Sequence, residues 1–413
     1  MVETTRYSVG MDLGTTKLAI AQIQQTGVNP PEIIGFSQQP CRFLKNGLIT
    51  NLDPLIEAFN HCLSEIRSLS HMPVRQVVIN CTTGNIFPEH NEGWIEFPKR
   101  REILTKHLDE VHRKARPEDL QTGRVLIHET PEQYCVDDQG DIDSPIGMMG
   151  QKLGVRMRQI FAEEIDIRNL VHSIAKCGLR VSHVVAEPYA LTESLLTQDD
   201  HAFEFWLIDI GGKHTQLAVV DGHAITPLPL LHLGGDIITS DVSIALKTPV
   251  KEAERIKVKH GCARSDMAQD SLLIQIPGLG GMVPTSSISQ QLLTQIIQPR
   301  VDEIFEEISR SFQSNWRRSQ RFAGIVMSGG TSDLAGIREH AEAHFQTRVI
   351  PGTLRDIGGL KDIAPCSESA LAVGLALYGL RHPRQEFPIP QSRFSFMDRL
   401  KHCFNWFGGG SDL

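Results

Sequence analysis

One short device occurs in each half of the chain, and it limits the fold more than any other feature. Tyr7-Ser-Val-Gly-Met-Asp12 reads as a strand, Leu13-Gly-Thr-Thr16 as a tight turn and Lys17-Leu-Ala-Ile-Ala as the return strand. The pattern comes back with Phe205-Trp-Leu-Ile-Asp209, the turn Ile210-Gly-Gly-Lys213 and the return Thr215-Gln-Leu-Ala-Val-Val220. Each copy is a hairpin with an aspartate ending its first strand and glycine in its turn. Glycine lets backbone approach a ligand closely, and successive N–H groups form a concavity for phosphate oxygens. Gly14, Gly211 and Gly212 supply that backbone, Thr15 and Thr16 add hydroxyls, and Lys17 and Lys213 add charge. Asp12 and Asp209 would repel phosphate, so their natural task is to hold water on a Mg²⁺ that bridges it. A single such turn is an ordinary hairpin; two, heading two halves, predict lobes that face each other across a cleft.

The length agrees, because 413 residues exceed one core when a domain takes about 100–200. A net charge of -8 argues against nucleic acid as a partner. The eight cysteines form no CxxC pair or cluster and read as reduced thiols. His340 and His344, four apart on an expected helix, lack a third ligand and read as a solvated face. The N-terminus enters a strand without a signal-type apolar core, and no stretch approaches the roughly 20 apolar residues of a bilayer span. The body therefore reads as cytoplasmic, with any membrane contact peripheral.

Further segments fit the same cleft. Phe322-Ala-Gly-Ile-Val-Met327 is a buried-type strand leading to Ser328-Gly-Gly-Thr331, where Gly329 and Gly330 either bare the backbone for a flat base or make a plain turn. Glu254 and Lys257 share a helix face, either for ribose hydroxyls or as a solvated ion pair. Glu187 follows the strand at Val184 and precedes Pro188. It either orients an attacking water or accepts a helix N-cap bond.

Taken in order, these segments resemble the superfamily of actin, sugar kinases and heat-shock chaperone ATPases. The first phosphate loop is Asp12-Leu-Gly-Thr-Thr-Lys17, a connecting segment is Ala186-Glu-Pro-Tyr-Ala190, and the second loop is Asp209-Ile-Gly-Gly212. Ser328-Gly-Gly-Thr331 matches the adenosine motif and Ser369–Gly379 the closing helix. Within that superfamily the chain is similar to the FtsA family of bacterial cell division proteins. The similarity lies in Gly234–Ala245, Ala253–Cys262, Ile297-Gln-Pro-Arg300, Ala175–Leu179, and Leu126–Tyr134 with Asp143–Gly147. It departs at Lys213-His214, where the family has a small residue and then threonine; Lys213 either neutralises phosphate or crowds the site.

The resemblance implies an α/β actin-like ATPase fold with two lobes around a cleft holding ATP and Mg²⁺, and at most slow hydrolysis. It implies subdomain 1A at 1–83, 170–203 and 363–382, an inserted subdomain 1C at 84–169, 2A at 204–231 and 300–362, and 2B at 232–299. It further implies filaments on the membrane, capture of the tail of the tubulin-like GTPase FtsZ by 2B, and contact with other division proteins through 1C. The alternative is the actin-like platform of type IV pilus assembly, which shares the insertion. A sugar kinase would need sugar-binding residues that the first lobe lacks, and a chaperone would need a substrate domain beyond the cleft.

After Gly379 the composition shifts. Residues 383–392 form a Pro-rich linker, and 393–407 an expected helix with Phe396, Met397, Leu400, Cys403, Phe404 and Phe407 on one side. Arg393, Arg399, Lys401 and His402 lie around the rest, and Trp406 suits a headgroup boundary. Such a helix either docks on the body or lies in a bilayer interface, where each basic residue near anionic lipid contributes roughly 1 kcal/mol. The family's C-terminal targeting helix favours the membrane.

Overall fold

The computed structural model describes residues 4–40, 44–45, 48–81, 86–117, 123–277, 286–315, 318–359 and 366–382. The linker and the amphipathic segment, with Phe396, Met397, Leu400, Phe404, Trp406 and Phe407, lie outside these residues.

The first hairpin forms as the alternation predicts. Strand β1 (Thr5–Leu13) pairs antiparallel with β2 (Lys17–Thr26), which pairs with β3 (Glu32–Pro40). The short pair β4 (Leu44–Lys45) and β5 (Leu48–Ile49) leads to α1 (Leu52–Ser70). This helix buries Leu55, Phe59, Cys62, Leu63 and Ile66, the spacing of a one-sided apolar stripe, and Asn51 caps it by accepting the Asp53 N–H. Strand β6 (Gln76–Asn80) then lies parallel to β1.

An insertion follows: β7 (Ile86–Glu102), α2 (Thr105–Ala115), β8 (Arg124–Val136), β9 (Gln139–Ile142) and β10 (Met149–Glu163). Its antiparallel sheet has the order β7-β10-β8-β9 and its own apolar cluster, which includes Phe97, Val111, Leu153 and Met157. Ile127 and Ile160 of the same sheet belong instead to the core of the first lobe, so the insertion is rooted there. Helix α3 (Glu164–Lys176) and strand β11 (Arg180–Val185) return to the lobe, and α4 (Glu187–Leu195) starts directly after.

The second half repeats the plan. Strand β12 (Glu204–Ile210) pairs antiparallel with β13 (Thr215–Asp221), and β13 with β14 (Ala224–Pro227). Helices α5 (Gly235–Leu246) and α6 (Val250–His260), strands β15 (Leu273–Ile276) and β16 (Ser286–Ser289), and the start of α7 (Gln290–Asn315) form a layer above this sheet. Strand β17 (Phe322–Ser328) lies parallel to β12, followed by a 3-10 turn at Gly330–Asp333 and α8 (Ile337–Phe345). The described residues close with β18 (Val349–Pro351), β19 (Gly358–Gly359) and α9 (Cys366–Arg381).

The two main sheets make the repetition explicit. One reads β11-β6-β1-β2-β3 with β19 added at its edge, the other β18-β17-β12-β13-β14. In each, a hairpin is flanked by a parallel strand on one side and an antiparallel one on the other. Helix α9 is apolar nearly all round, and Ala370, Val373, Leu375, Ala376 and Leu377 are all buried. It approaches α4 so closely that a Cβ on Gly374 would sit 1.9 Å from the Ala190 carbonyl oxygen.

One expectation needs correction here. His340 and His344 do not form a solvated face. His340 bonds Asp302 at 2.5 Å and His344 bonds Ser309 at 3.2 Å, and both rings pack on Phe305. The helix turns them toward α7, whose aromatic and polar side chains cover them. Among the described residues, Cys135, Cys177 and Cys262 carry free thiols.

Candidate functional site

Both hairpin turns point into one cleft of about 640 Å³ between the two sheets. They close in the same way: Gly14 N–H donates to Lys17 O at 3.0 Å, and Gly211 N–H to His214 O at 2.9 Å. The second turn is also gripped from behind. Gly235 N–H donates to Gly211 O at 2.9 Å and Asp236 N–H to Gly212 O at 2.7 Å, while Thr331 Oγ1 donates to Gly211 O at 3.0 Å. The turns almost touch, since a Cβ on Gly212 would stand 2.6 Å from Thr16 Cγ2.

Three carboxyl groups meet at the floor. Burial pushes Asp12 up to about 7, Glu187 up to about 8 and Asp209 up to about 6. Asp209 and Asp12 add repulsion at Glu187, whereas the Lys17 ammonium pulls both aspartates back down. The strand beside each hairpin supplies a polar side chain at the matching place. At the end of β6, Asn80 Oδ1 accepts the Leu13 N–H at 2.8 Å and Asn80 Nδ2 donates to Glu187 Oε1 at 2.9 Å. At the end of β17, fully buried Ser328 stands in register with Asp209. Its hydroxyl has no settled partner, and turned toward Asp209 it donates and offsets part of the burial effect.

Glu187 is the first residue of α4, with Ala186 as N-cap, so its carboxylate projects into the cleft and makes no capping bond. Lys17 Nζ donates to the Glu368 carbonyl at 2.7 Å and lies 3.7 Å from the same residue's carboxylate. Gln38 Nε2 also binds that carboxylate, at 2.7 Å, and leaves Gln38 Oε1 buried in the cleft wall without a partner.

Across the cleft, Gly329 takes a left-handed φ of 89° against Ile210, whose carbonyl oxygen would lie 2.5 Å from any Cβ. A Cβ on Gly330 would meet only Glu368, at 3.8 Å, and Leu334 and Val258, the latter 74% exposed, line the same cleft; a flat apolar group would cover these atoms. Glu254 and Lys257 are paired at 2.8 Å but are not a solvated pair. Lys257 is 7% exposed because its ammonium also donates to Gly235 O at 3.0 Å and Thr239 Oγ1 at 2.9 Å, tying α6 to the start of α5.

Asp12, Gly14, Thr15, Thr16, Lys17, Glu187, Asp209, Gly211, Gly212, Glu254, Lys257, Gly329, Gly330 and Thr331 therefore all line one cavity. Lys213 does not. His214 faces the cleft in its place, because the turn directs adjacent side chains to opposite sides. Asn80, Gln38, Glu368 and Asp236 join the site without a local sequence signal. Among the described residues, no group of three or more acidic, histidine or cysteine side chains forms a ready-made metal cage.

A family model described as cell division protein FtsA matches residues 206–376, and one described as the SHS2 domain inserted in FTSA matches residues 84–161. The chain is 27% identical over 380 residues to the cell division protein FtsA of Pseudomonas aeruginosa, covering 92% of this chain and 91% of that protein. It is 29% identical over 378 residues to that of Neisseria meningitidis serogroup B, covering 91% and 90%. Among solved structures it resembles a PilM–PilN type IV pilus biogenesis complex, with a TM-score of 0.64, 17% identity and coverage of 91% and 99%. It also resembles MreB5 of Spiroplasma citri bound to ADP, with a TM-score of 0.55, 13% identity and coverage of 91% and 97%. At these identities the structural likeness is one of fold, and the fold is that of the actin-like ATPases.

Proposed function

Because the chain belongs to the FtsA family of cell division proteins, we propose that it binds ATP with Mg²⁺ in this cleft and anchors the division GTPase FtsZ to the membrane. The observation that carries the nucleotide reading is the pair of matched glycine turns facing each other over the three carboxyls of the cleft floor. Acids pushed toward neutrality, with an unpaired Gln38 oxygen in the same cleft wall, suit a hydrated divalent cation. That cation, when bound, offsets phosphate charge and favours the ionised carboxylates. Asp12 and Asp209 would hold its water shell. The Gly14 and Gly211–Gly212 turns, with Thr15, Thr16 and Lys17, would hold phosphate oxygens.

Gly329, Gly330 and Thr331 border the place for the base. Lys257 is committed to Gly235, Thr239 and Glu254 Oε2, which also accepts from Thr239 Oγ1, so the other carboxylate oxygen of Glu254 is the one left for ribose hydroxyls. Asn80 fixes one oxygen of Glu187 and so orients a carboxylate that can hold and deprotonate a water. Such hydrolysis need not be fast for closure of the cleft to act as a clamp on a polymer-competent arrangement.

The layer spanned by residues 232–299 carries a second groove, of about 300 Å³, between α5 and α7. It combines exposed Ile244 with Arg300, which is paired with Asp241 at 2.6 Å. Apolar and charged surfaces side by side suit a short peptide such as the FtsZ tail. No described helix is long and apolar enough to cross a membrane. In this reading attachment is peripheral, on the cytoplasmic face of the inner membrane at the division site. The segment 393–407 supplies it, and many weak tails add up along a polymer by avidity. The insertion offers its exposed sheet face to further division proteins. The pilus reading rests on fold likeness at 17% identity, whereas both family models are of the division protein.

The test is fluorescence anisotropy of a labelled FtsZ C-terminal peptide titrated with the protein, with and without ATP–Mg²⁺. Saturable binding near micromolar, about -8 kcal/mol, supports the adaptor role. No binding in either state, with ATP bound normally, returns the choice to the pilus-type platform.

A further inference from the structure

The strongest unexplained feature away from the cleft is His128, a fully enclosed histidine on β8 of the insertion. Its Nε2 lies 2.8 Å from the backbone nitrogen of Ala186, the residue immediately before Glu187. Ala186 caps α4 without a side-chain bond of its own, and a buried N–H needs an acceptor. The acceptor comes from a different sheet, 58 residues earlier in the chain.

The chemistry fixes the ring. Nε2 accepts, so a neutral imidazole carries its proton on Nδ1, which then donates to Tyr378 Oη at 3.3 Å on α9. The ring stacks on Tyr189 of α4 at 4.1 Å and 4°. Burial, with His382 and His183 nearby, holds it at about 3, far below the usual histidine range. The same corner touches the second lobe. Tyr189 Oη donates to Ile225 O at 3.3 Å, and Arg158 of β10, paired with Glu132, donates to Thr226 Oγ1. One residue of the insertion thus sets the start of the helix bearing Glu187, and another grips the edge strand of the opposite sheet.

We infer that His128 is a positioning residue that links the inserted sheet to the nucleotide cleft by holding the Ala186 N–H, and through it the placement of Glu187. This rests on the nucleotide reading above and extends it. The insertion is bonded both to the start of α4 and to β14, so in this proposal any movement of either element on cleft closure reaches it. The surface that the insertion offers to partners therefore responds to what the cleft holds.

Hydrogen–deuterium exchange of the full chain, with and without ATP–Mg²⁺, tests the link. In the wild-type protein, nucleotide should slow exchange in the hairpin turns at 12–17 and 209–214, and also in α4 and β8, by at least about threefold. His128→Phe keeps the stacked ring but lacks an acceptor; it should retain the hairpin response and lose that of α4 and β8. His128→Gln, whose amide oxygen can accept the same N–H, should restore it. An unchanged α4 and β8 response in His128→Phe overturns the proposal, as does a wild-type response confined to the hairpins. Lack of hairpin protection in the wild-type protein would instead remove the nucleotide reading itself.

Discussion

Asn80 and Glu187 are joined by a 2.9 Å hydrogen bond, and the same asparagine accepts the Leu13 N–H at 2.8 Å. One buried amide thus locks the first phosphate hairpin to the helix that carries the candidate base. Asn80→Ala strands a backbone donor and a buried carboxyl together. The expected loss is about 1–3 kcal/mol of stability, read from denaturant unfolding, with any hydrolysis falling further than nucleotide affinity does. A change below about 0.5 kcal/mol, the usual scatter for a neutral surface site, would contradict this role.

The floor carboxyls give stability a defined pH dependence. Asp12, Glu187 and Asp209 all titrate higher in the folded protein than in an unfolded chain. Through these three groups the folded state binds more protons from about pH 4 to about pH 8, and in the absence of nucleotide and cation their contribution to stability falls as pH rises through that window. His128, held at about 3, contributes with the opposite sign below its ordinary value of 6.5. Above the window the loss from these three groups is complete. Asp12→Asn removes one of these buried charges. It should be near neutral at pH 4 and stabilise the ligand-free protein by about 1–3 kcal/mol at pH 8, while abolishing binding of ATP–Mg²⁺. Thermal unfolding across pH checks both.

Glu368 competes with phosphate for Lys17, since the ammonium rests on its carbonyl at 2.7 Å and beside its carboxylate at 3.7 Å. Glu368→Gln keeps the carbonyl and removes the charge. The pair is partly exposed, so the gain is limited to about 1 kcal/mol, seen as up to about fivefold tighter nucleotide binding in a titration.

Gly329→Ala forces a Cβ to within 2.5 Å of the Ile210 carbonyl oxygen at a φ of 89°. The end of β17 must move, at a cost of about 1–3 kcal/mol or more, and nucleotide affinity should fall with it. Gly330→Ala, whose Cβ meets nothing closer than 3.8 Å, should spare the fold and reduce only affinity. Unfolding midpoints and nucleotide titration separate the two.

The hairpins were legible because their signal is local: alternating apolar residues, a terminal aspartate and glycine in the turn all lie within about ten residues. That Asp12 and Asp209 face one cavity followed from duplication, and the matching strand orders of the two sheets explain why. Asn80, Ser328, Glu368 and His128 were not legible, because each acts through a strand or helix distant in sequence. Their roles depend on register between elements, which no short window contains. Lys257 misled for a related reason. A lysine three residues after a glutamate looks like surface charge until α5 brings Gly235 and Thr239 over it.

The most direct test of the cleft is calorimetric titration of ATP with Mg²⁺ at pH 7, in two buffers of different ionisation enthalpy. Carboxyls at about 6, 7 and 8 must lose protons to face a cation, so binding should be saturable and release protons to the buffer, with Asp12→Asn binding nothing while still folded. Absence of binding, or binding that takes up protons, would contradict the account.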